Sequence, residues 1–383
     1  MRNRATNLLI VALTLGALSN VPAGPTFGQP TASDYAEKLQ RYLEARRAYE
    51  AQAEPYWDAI AEKRRQRNAK RRAREPIGAD DYVLTQPPLY AGPSRPIDPN
   101  APRDTPEPDK PPMPVVADFL RHAAAQFGFM PQRPPSELAA KKAYVAVAKA
   151  AGLTKEQVVH VYAFETGGNG GYDTQAGLTS GRPEARAISP ALGYNQLLST
   201  NSVGLIAENG DRYVAILERK AARLTGTDKV AMTKKIAAFR RMITFSRSVP
   251  NAWSAHDELA KNTPGGIGIH AVLLDRDLGP LLQTQKLLDS VVFARRRGHP
   301  APLTAAELEL MNFTGDGNGY DMVLMAPELR QQVPTANFFQ RAGYERNPIA
   351  RRTGTVAALI ASMEARMERA ARERGAKGLA AAF

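Results

Sequence analysis

One carboxylate stands out by its neighbours. In "VVHVYAFETGGNGGYD", residues 158–173, Glu165 closes an apolar run, and Gly167, Gly168, Gly170 and Gly171 follow it. Glu165 lies eleven residues after Thr154 (165 − 154), about three helical turns, near the face of Val158 and Tyr162. That is the core side. A carboxyl there loses water and lies beside the unpaired carbonyls of a helix end, and both effects favour the protonated form. Residue type and place therefore predict a general acid, and the glycines are expected to let an extended ligand lie close to it. The same features also describe a surface Glu before a glycine cap, so Glu165 needs further support.

The elements that would position it are helical. "LTKEQVVHVYAFE" opens with a capping box, Thr154 and Gln157, and a staple, Leu153 with Val158. Before it, "PPSELAAKKAYVAVAKAAGL" has Ser136 as N-cap and Gly152 as stop, with Leu138, Tyr144, Val145, Val147 and Ala148 as apolar positions. Further helices are expected near 211–223, 228–246, 269–296, 304–312 and 353–375, with no long alternating strand pattern and no internal repeat. Upstream, residues 33–75 are rich in helix formers. Ser33 or Asp34 could cap their start, and Pro55 is expected to break or kink them into two exposed helices. Lys63 to Arg74 carries eight basic residues, read either as a polyanion patch or as a solvated helix face. From Pro87 to Pro114, eleven of 28 residues are proline, which predicts an extended spacer or a surface strap and a domain boundary.

The chain begins "MRNRATNLLIVALTLGALSNVPAGP", with two arginines, an apolar run from Leu8 to Leu18 and Val21-Pro22-Ala23. Residues 1–23 read as a secretory signal, since the run is short of the roughly 20 residues that span a bilayer. There is no cysteine, hence no disulfide, thiolate metal site or lipid-bearing cysteine. An exported protein of a periplasm is expected, with secretion from the cell as the alternative. The formal charge of +13 becomes +11 without Arg2 and Arg4 (13 − 2) and favours polyanions. The exported address weighs against nucleic acid and leaves anionic lipid or the carboxylate-bearing polymers of a cell wall.

Three stretches in order carry a family resemblance. "FETGGNGG" resembles the Glu-Ser-Gly-Gly type motif of the soluble lytic transglycosylase and goose-type lysozyme group. "SPALGYNQLL", residues 189–198, resembles the family's segment ending in Gly-Leu-Met-Gln, with Gly193, Tyr194, Asn195 and Gln196 in the matching places. "ELMNFTGDGNGYDMV", residues 309–323, resembles its aromatic-Asn-x-Gly loop, with Asn312, Phe313 and Gly315. The likeness covers Thr154 to Tyr344. The sequence departs from the pattern in the 31 residues between Glu165 and Gln196, swollen by "YDTQAGLTSGRPEARA", in Met311 at the usual aromatic position, and in a long region 224–265.

The helical pattern predicts a mostly α chain with a main domain at 115–350, preceded by a basic helical segment at 24–75 and a proline-rich linker at 76–114 and followed by a C-terminal helix at 351–383; the resemblance implies that the main domain is a lysozyme-like catalytic domain with a glycan groove. It implies cleavage of the β-1,4 bond between N-acetylmuramic acid and N-acetylglucosamine in peptidoglycan. Glu165 would protonate the leaving oxygen and then take the proton from the muramyl C6 hydroxyl, giving a 1,6-anhydro end. Gln196 would hydrogen-bond the sugar, Asn312 would position the acetamido group or the surroundings of the acid, and Tyr194 and Phe313 would offer faces to sugar rings beside Gly193. No cofactor or metal is implied; the partners would be peptidoglycan glycan strands and, through helices 33–75, a candidate protein.

Two rival readings stay open. A hydrolytic lysozyme needs a second acid, for which Asp173, Asp316 and Asp321 are candidates, although Asp316 in "TGDGNG" also suits a tight turn. That stretch lacks the acid pattern of a calcium loop. A non-catalytic wall-binding protein could use the same groove, and residues 24–115 could dock over it as an inhibitor. His122, His160, His256, His270 and His299 form no metal-ligand spacing, and "NTPGGIGIH" lacks the residues of a nucleotide loop.

Overall fold

A computed structural model describes residues 32–100, 112–178 and 186–383. The signal expected at 1–23 lies outside the described residues, as do 101–111 of the proline-rich run and 179–185 of the loop after Glu165. The protein is mostly helical, as expected, with almost no strand. Among the described residues the β pairings are isolated bridges: Gln175 with Leu192, Leu192 with Leu197, and Pro334 with Thr355. No helix among them is long and apolar enough to cross a membrane.

The chain divides into two compact units, whose described parts are 32–51 with 89–100, and 52–88 with 112–178 and 186–383. In the first, the proline-rich residues need no ladder partner because Tyr90 anchors them. Its ring meets those of Tyr42 and Tyr49 edge-on at 6.4 and 5.5 Å, and the Arg46 guanidinium lies 5.3 Å from it.

Helix α1, Ala32–Ala73, carries through Pro55, which corrects the expected break into two exposed helices. An interior proline costs about 3 kcal/mol. Burial of Ala53 and Ile60, and of Trp57 against the Tyr344 ring at 5.6 Å, offsets it. The basic run is also not a solvated face. Lys63 donates to Asp80 O, Arg64 to Phe339 O, Lys70 to Asp81 and Arg71 to Asp321. Arg67 is fully buried and donates to Asp81 O and Asn337 O, both at 2.8 Å, with its guanidinium 4.6 Å from the Tyr82 ring. Residues 76–88 are accordingly docked rather than a spacer: the Asn337 side chain accepts from Val83 N at 2.9 Å and donates to Val83 O at 2.8 Å. Arg67→Ala leaves these buried carbonyls short of donors, and we expect a loss of about 3 kcal/mol, read as a lower urea midpoint at unchanged slope.

The rest of the second unit is built from α2 (Val116–Phe127), α3 (Glu137–Ala150), α4 (Lys155–Thr166), α5 (Ser199–Ala221), α6 (Gly226–Ser246), α7 (Trp253–Asn262), α8 (Pro264–Ile269), α9 (Gly279–Arg296), α10 (Ala305–Thr314), α11 (Asp316–Leu324), α12 (Pro327–Gln332), α13 (Arg341–Glu345), α14 (Pro348–Thr353), α15 (Val356–Ala371) and α16 (Arg374–Ala382). The expected caps form: Ser136 Oγ accepts from Ala139 N at 3.2 Å, and Thr154 and Gln157 exchange bonds of 3.1 and 3.0 Å. The helix expected at 269–296 is two elements, a short 3₁₀ turn at His270–Leu274 and then α9. Asp275 divides them, its carboxylate accepting from Asp277 N and Leu278 N and pairing with buried Lys235 at 2.8 Å. The C-terminal helix is likewise two, α15 and α16.

Among the described residues two large apolar clusters form the core, with a small third one around Tyr344 and Trp57. One gathers α3, α4, α10, α11, α15 and α16 around Tyr162, Leu308 and Met363. The other gathers α2 and α5 to α8 around Phe119, Ile206 and Phe239. Helix α9 joins them, giving Leu282 to the second and Leu287 and Val291 to the first. A residue on α9 midway between these positions faces the seam.

Candidate functional site

Glu165 is in that seam, at the C-terminal turn of α4. It lines a cavity of about 470 Å³ together with Gln196, Leu197, Asn201, Trp253, Lys286, Asn312, Phe313, Gly315 and Asp316. Its side chain is half-buried, open to the cavity on one side, while protein atoms enclose the carboxyl on the others. Burial pushes that carboxyl up to about 7, against the pull of Glu309, Arg366 and Lys286. Glu309, on α10, is 1 % exposed and within hydrogen-bonding reach of Glu165. Burial and the neighbouring Glu165 hold Glu309 well above the carboxylate range. Glu309 Oε2 has no donor in reach, so an ionised Glu309 would be a buried charge with an unmet acceptor. The two carboxyls titrate as a coupled pair, in which burial and mutual repulsion favour retention of a proton. The sequence reading missed Glu309. Its one signal was position, three residues before Asn312 and so on the same helical face.

The glycines after Glu165 do a different job from the one expected. None of Gly167, Gly168, Gly170 and Gly171 lines the cavity. Gly167 caps α4 in the left-handed region, and Gly168 O accepts from Ala376 N at 2.8 Å. A Cβ on Gly168 would meet Ala370 O at 2.0 Å, at a φ of +79°. The glycine burst thus lets the α15–α16 corner close behind the acid. There the Arg366 guanidinium donates to Phe164 O at 2.9 Å and lies 4.4 Å from the Phe164 ring. We expect Gly168→Ala to cost on the order of 3 kcal/mol, measurable as a drop in melting temperature.

The Gly193 to Gln196 turn is closed by Leu192 and Leu197, whose backbones exchange bonds of 3.0 and 3.1 Å. Gln196 sits at φ +41°, and its amide nitrogen donates to Thr174 O and Gly193 O. Both N–H groups are used, so only its carbonyl oxygen can address a ligand. Asn195, which also lines the cavity, spends its nitrogen on the Tyr144 hydroxyl and Gln283 O, and its buried Oδ1 lacks a partner among the described residues. Asn312 is within hydrogen-bonding reach of Glu309 and also carries a buried, unpartnered Oδ1. Phe313 lines the cavity with its ring edge-on to Phe339 at 5.7 Å.

Tyr194 is a correction. It is 3 % exposed, its ring tilted against that of Tyr144 and edge-on to that of Tyr162, with its hydroxyl donating to Glu137 Oε1 at 2.8 Å. It packs the core rather than a sugar. Gly193 stands against the Gln283 side chain instead of the cavity. Of the three candidate second acids, Asp316 alone reaches the cavity, its Oδ1 accepting from Ser290 Oγ at 2.6 Å. Asp173 pairs with Arg133 at the surface, and Asp321 is buried against Arg71 and Arg67.

Trp253, in the long region 224–265, was also missed, because nothing nearby marked it. It is 57 % exposed at the start of α7. Trp253, Asn201, Lys286 and Asp316 line both the main cavity and a neighbouring one of about 280 Å³, so the two form one groove.

No family model, curated protein or solved structure among those compared matches this chain.

Proposed function

We propose that the chain is an exported, lysozyme-like lytic transglycosylase that cleaves the glycan strands of peptidoglycan, with Glu165 as its single acid and base. The observation that carries this reading is a carboxyl at the end of α4, enclosed by protein on one side and open on the other to a groove, where burial pushes it up to about 7. Glu165 donates its proton to the glycosidic oxygen as the C1–O bond breaks. The carboxylate left behind is stabilised by the Glu309 proton and the Lys286 and Arg366 charges, and it removes the proton of the muramyl C6 hydroxyl as that oxygen closes on C1. No water is consumed, and the acid is regenerated.

Glu309 is not a second catalytic acid of the hydrolytic kind, which would stand about 5–9.5 Å across the scissile bond rather than in contact with the first. Asp316 supports the hydrolytic reading, since it shares the cavity. Mass spectrometry of fragments released from purified peptidoglycan separates the two: 1,6-anhydro ends support the transglycosylase, reducing ends the hydrolase, and no release sinks both. Trp253 offers an exposed ring along the groove for a sugar face. We expect Trp253→Ala to raise KM about tenfold with kcat little changed, in a turbidity assay on cell-wall suspensions.

A further inference from the structure

A second cavity, of about 1310 Å³, belongs to none of the glycan chemistry. Two helix C-termini build it. Helix α1 ends there with Arg71, Arg72 and Arg74, and α9 ends there with Arg296 and Arg297. Arg74 adopts φ +61°, and Glu75 N bonds back to Lys70 O at 2.9 Å, which turns residues 75–78 under the helix end to form a wall. The apolar part of the lining is Leu324, 60 % exposed, with half-buried Leu329 and buried Met325.

Basic residues at helix ends offset the macrodipole anywhere, but here two such ends empty into one cavity. The acids that line it are Glu75 and Asp321, and Asp321 is already matched by Arg71 and Arg67. Arg297 donates to Arg71 O, whereas Arg72, Arg74 and Arg296 have no ion-pair partner among the described residues. Three guanidinium groups free of ion pairs thus line one cavity together with the exposed side chain of Leu324. Planar forks bind phosphate oxygens two at a time, and a multiply charged phosphate gains most from several of them.

We propose that this cavity is a binding site for an organic phosphate that carries an apolar group, the phosphate on Arg72, Arg74 and Arg296 and the apolar part on Leu324, Met325 and Leu329. The chemistry is that of a soluble phosphate ester or of a phospholipid headgroup at a membrane surface. The site lies about 15 Å from Lys286, ten residues along α9 (296 − 286), and does not rest on the glycan reading.

The test uses the full mature chain and the double variant Arg72→Glu, Arg296→Glu, both exposed positions. Calorimetric titration with inorganic pyrophosphate should show saturable binding that weakens about tenfold in the variant and again between about 50 and 300 mM salt. Retained cooperative thermal unfolding of the variant excludes misfolding as the cause. Sedimentation with phosphatidylglycerol vesicles, lost in the variant, would assign the lipid as source; no sedimentation beside retained pyrophosphate binding would assign a soluble ester. Absence of saturable pyrophosphate binding, equal binding by the variant, or tighter binding of citrate than of pyrophosphate would overturn the proposal.

Discussion

Glu165→Gln should lower release of soluble fragments from peptidoglycan by about a thousandfold while leaving binding to insoluble wall material intact. The glutamine keeps the shape of the side chain in the half-buried position and still meets Glu309, but it has no proton to give to a glycosidic oxygen. On the proposed reading, fragment release by the native protein should be fastest on the acid side of neutrality. Burial places the Glu165 carboxyl at about 7, so the protonated form is fully present below that value and is lost above it. A variant that still releases fragments at a tenth of the native rate or more would remove Glu165 as the acid. Fragment release is followed by mass spectrometry, and binding by pull-down on washed sacculi. If binding stays and native release is absent as well, the groove belongs to a wall-binding protein.

The second large effect is on stability. The folded state raises Glu165 from its ordinary 4.5 to about 7, so between those values the native chain holds the proton more tightly than the unfolded chain does. Stability from this group is therefore fullest in acid and falls as pH rises toward 7. A shift of that size is worth about 3 kcal/mol. Relative to the native chain, Glu165→Gln should gain about 2–3 kcal/mol between pH 5 and pH 8, because glutamine does not titrate. Urea denaturation of both proteins at the two pH values gives the double difference, in which titrating groups remote from Glu165 cancel and the coupled Glu165–Glu309 pair remains. A difference unchanged with pH would mean that Glu165 is solvated and ordinary. A buried acid of this kind costs stability above its shifted value, the cost that the proposed role as general acid would require.

How much of this could be read beforehand depended on range. The helix carrying Glu165 was legible because its signals are local: Thr154 and Gln157 cap within one turn, and Gly167 stops the chain where φ turns positive. Glu309 was not legible as a partner of Glu165, since 144 residues separate them (309 − 165) and only the packing of α10 on α4 brings them together. Tyr194 was misread because an aromatic in a glycine-rich turn suits either a ligand or the core, and the bond to Glu137 decides for the core. Pro55 was read by its own cost, without the contacts of Trp57 and Ile60 that outweigh it.

The sequence by itself determined the helical class, the caps, the helix bearing the acid and the excess of positive charge, all of which rest on neighbours within a few residues. The tertiary structure decided which residues share the cavity, where the glycines and the basic run are spent, and how far the acid is shifted. Those outcomes depend on desolvation and on contacts between segments far apart in the chain, and local pattern carries no record of either.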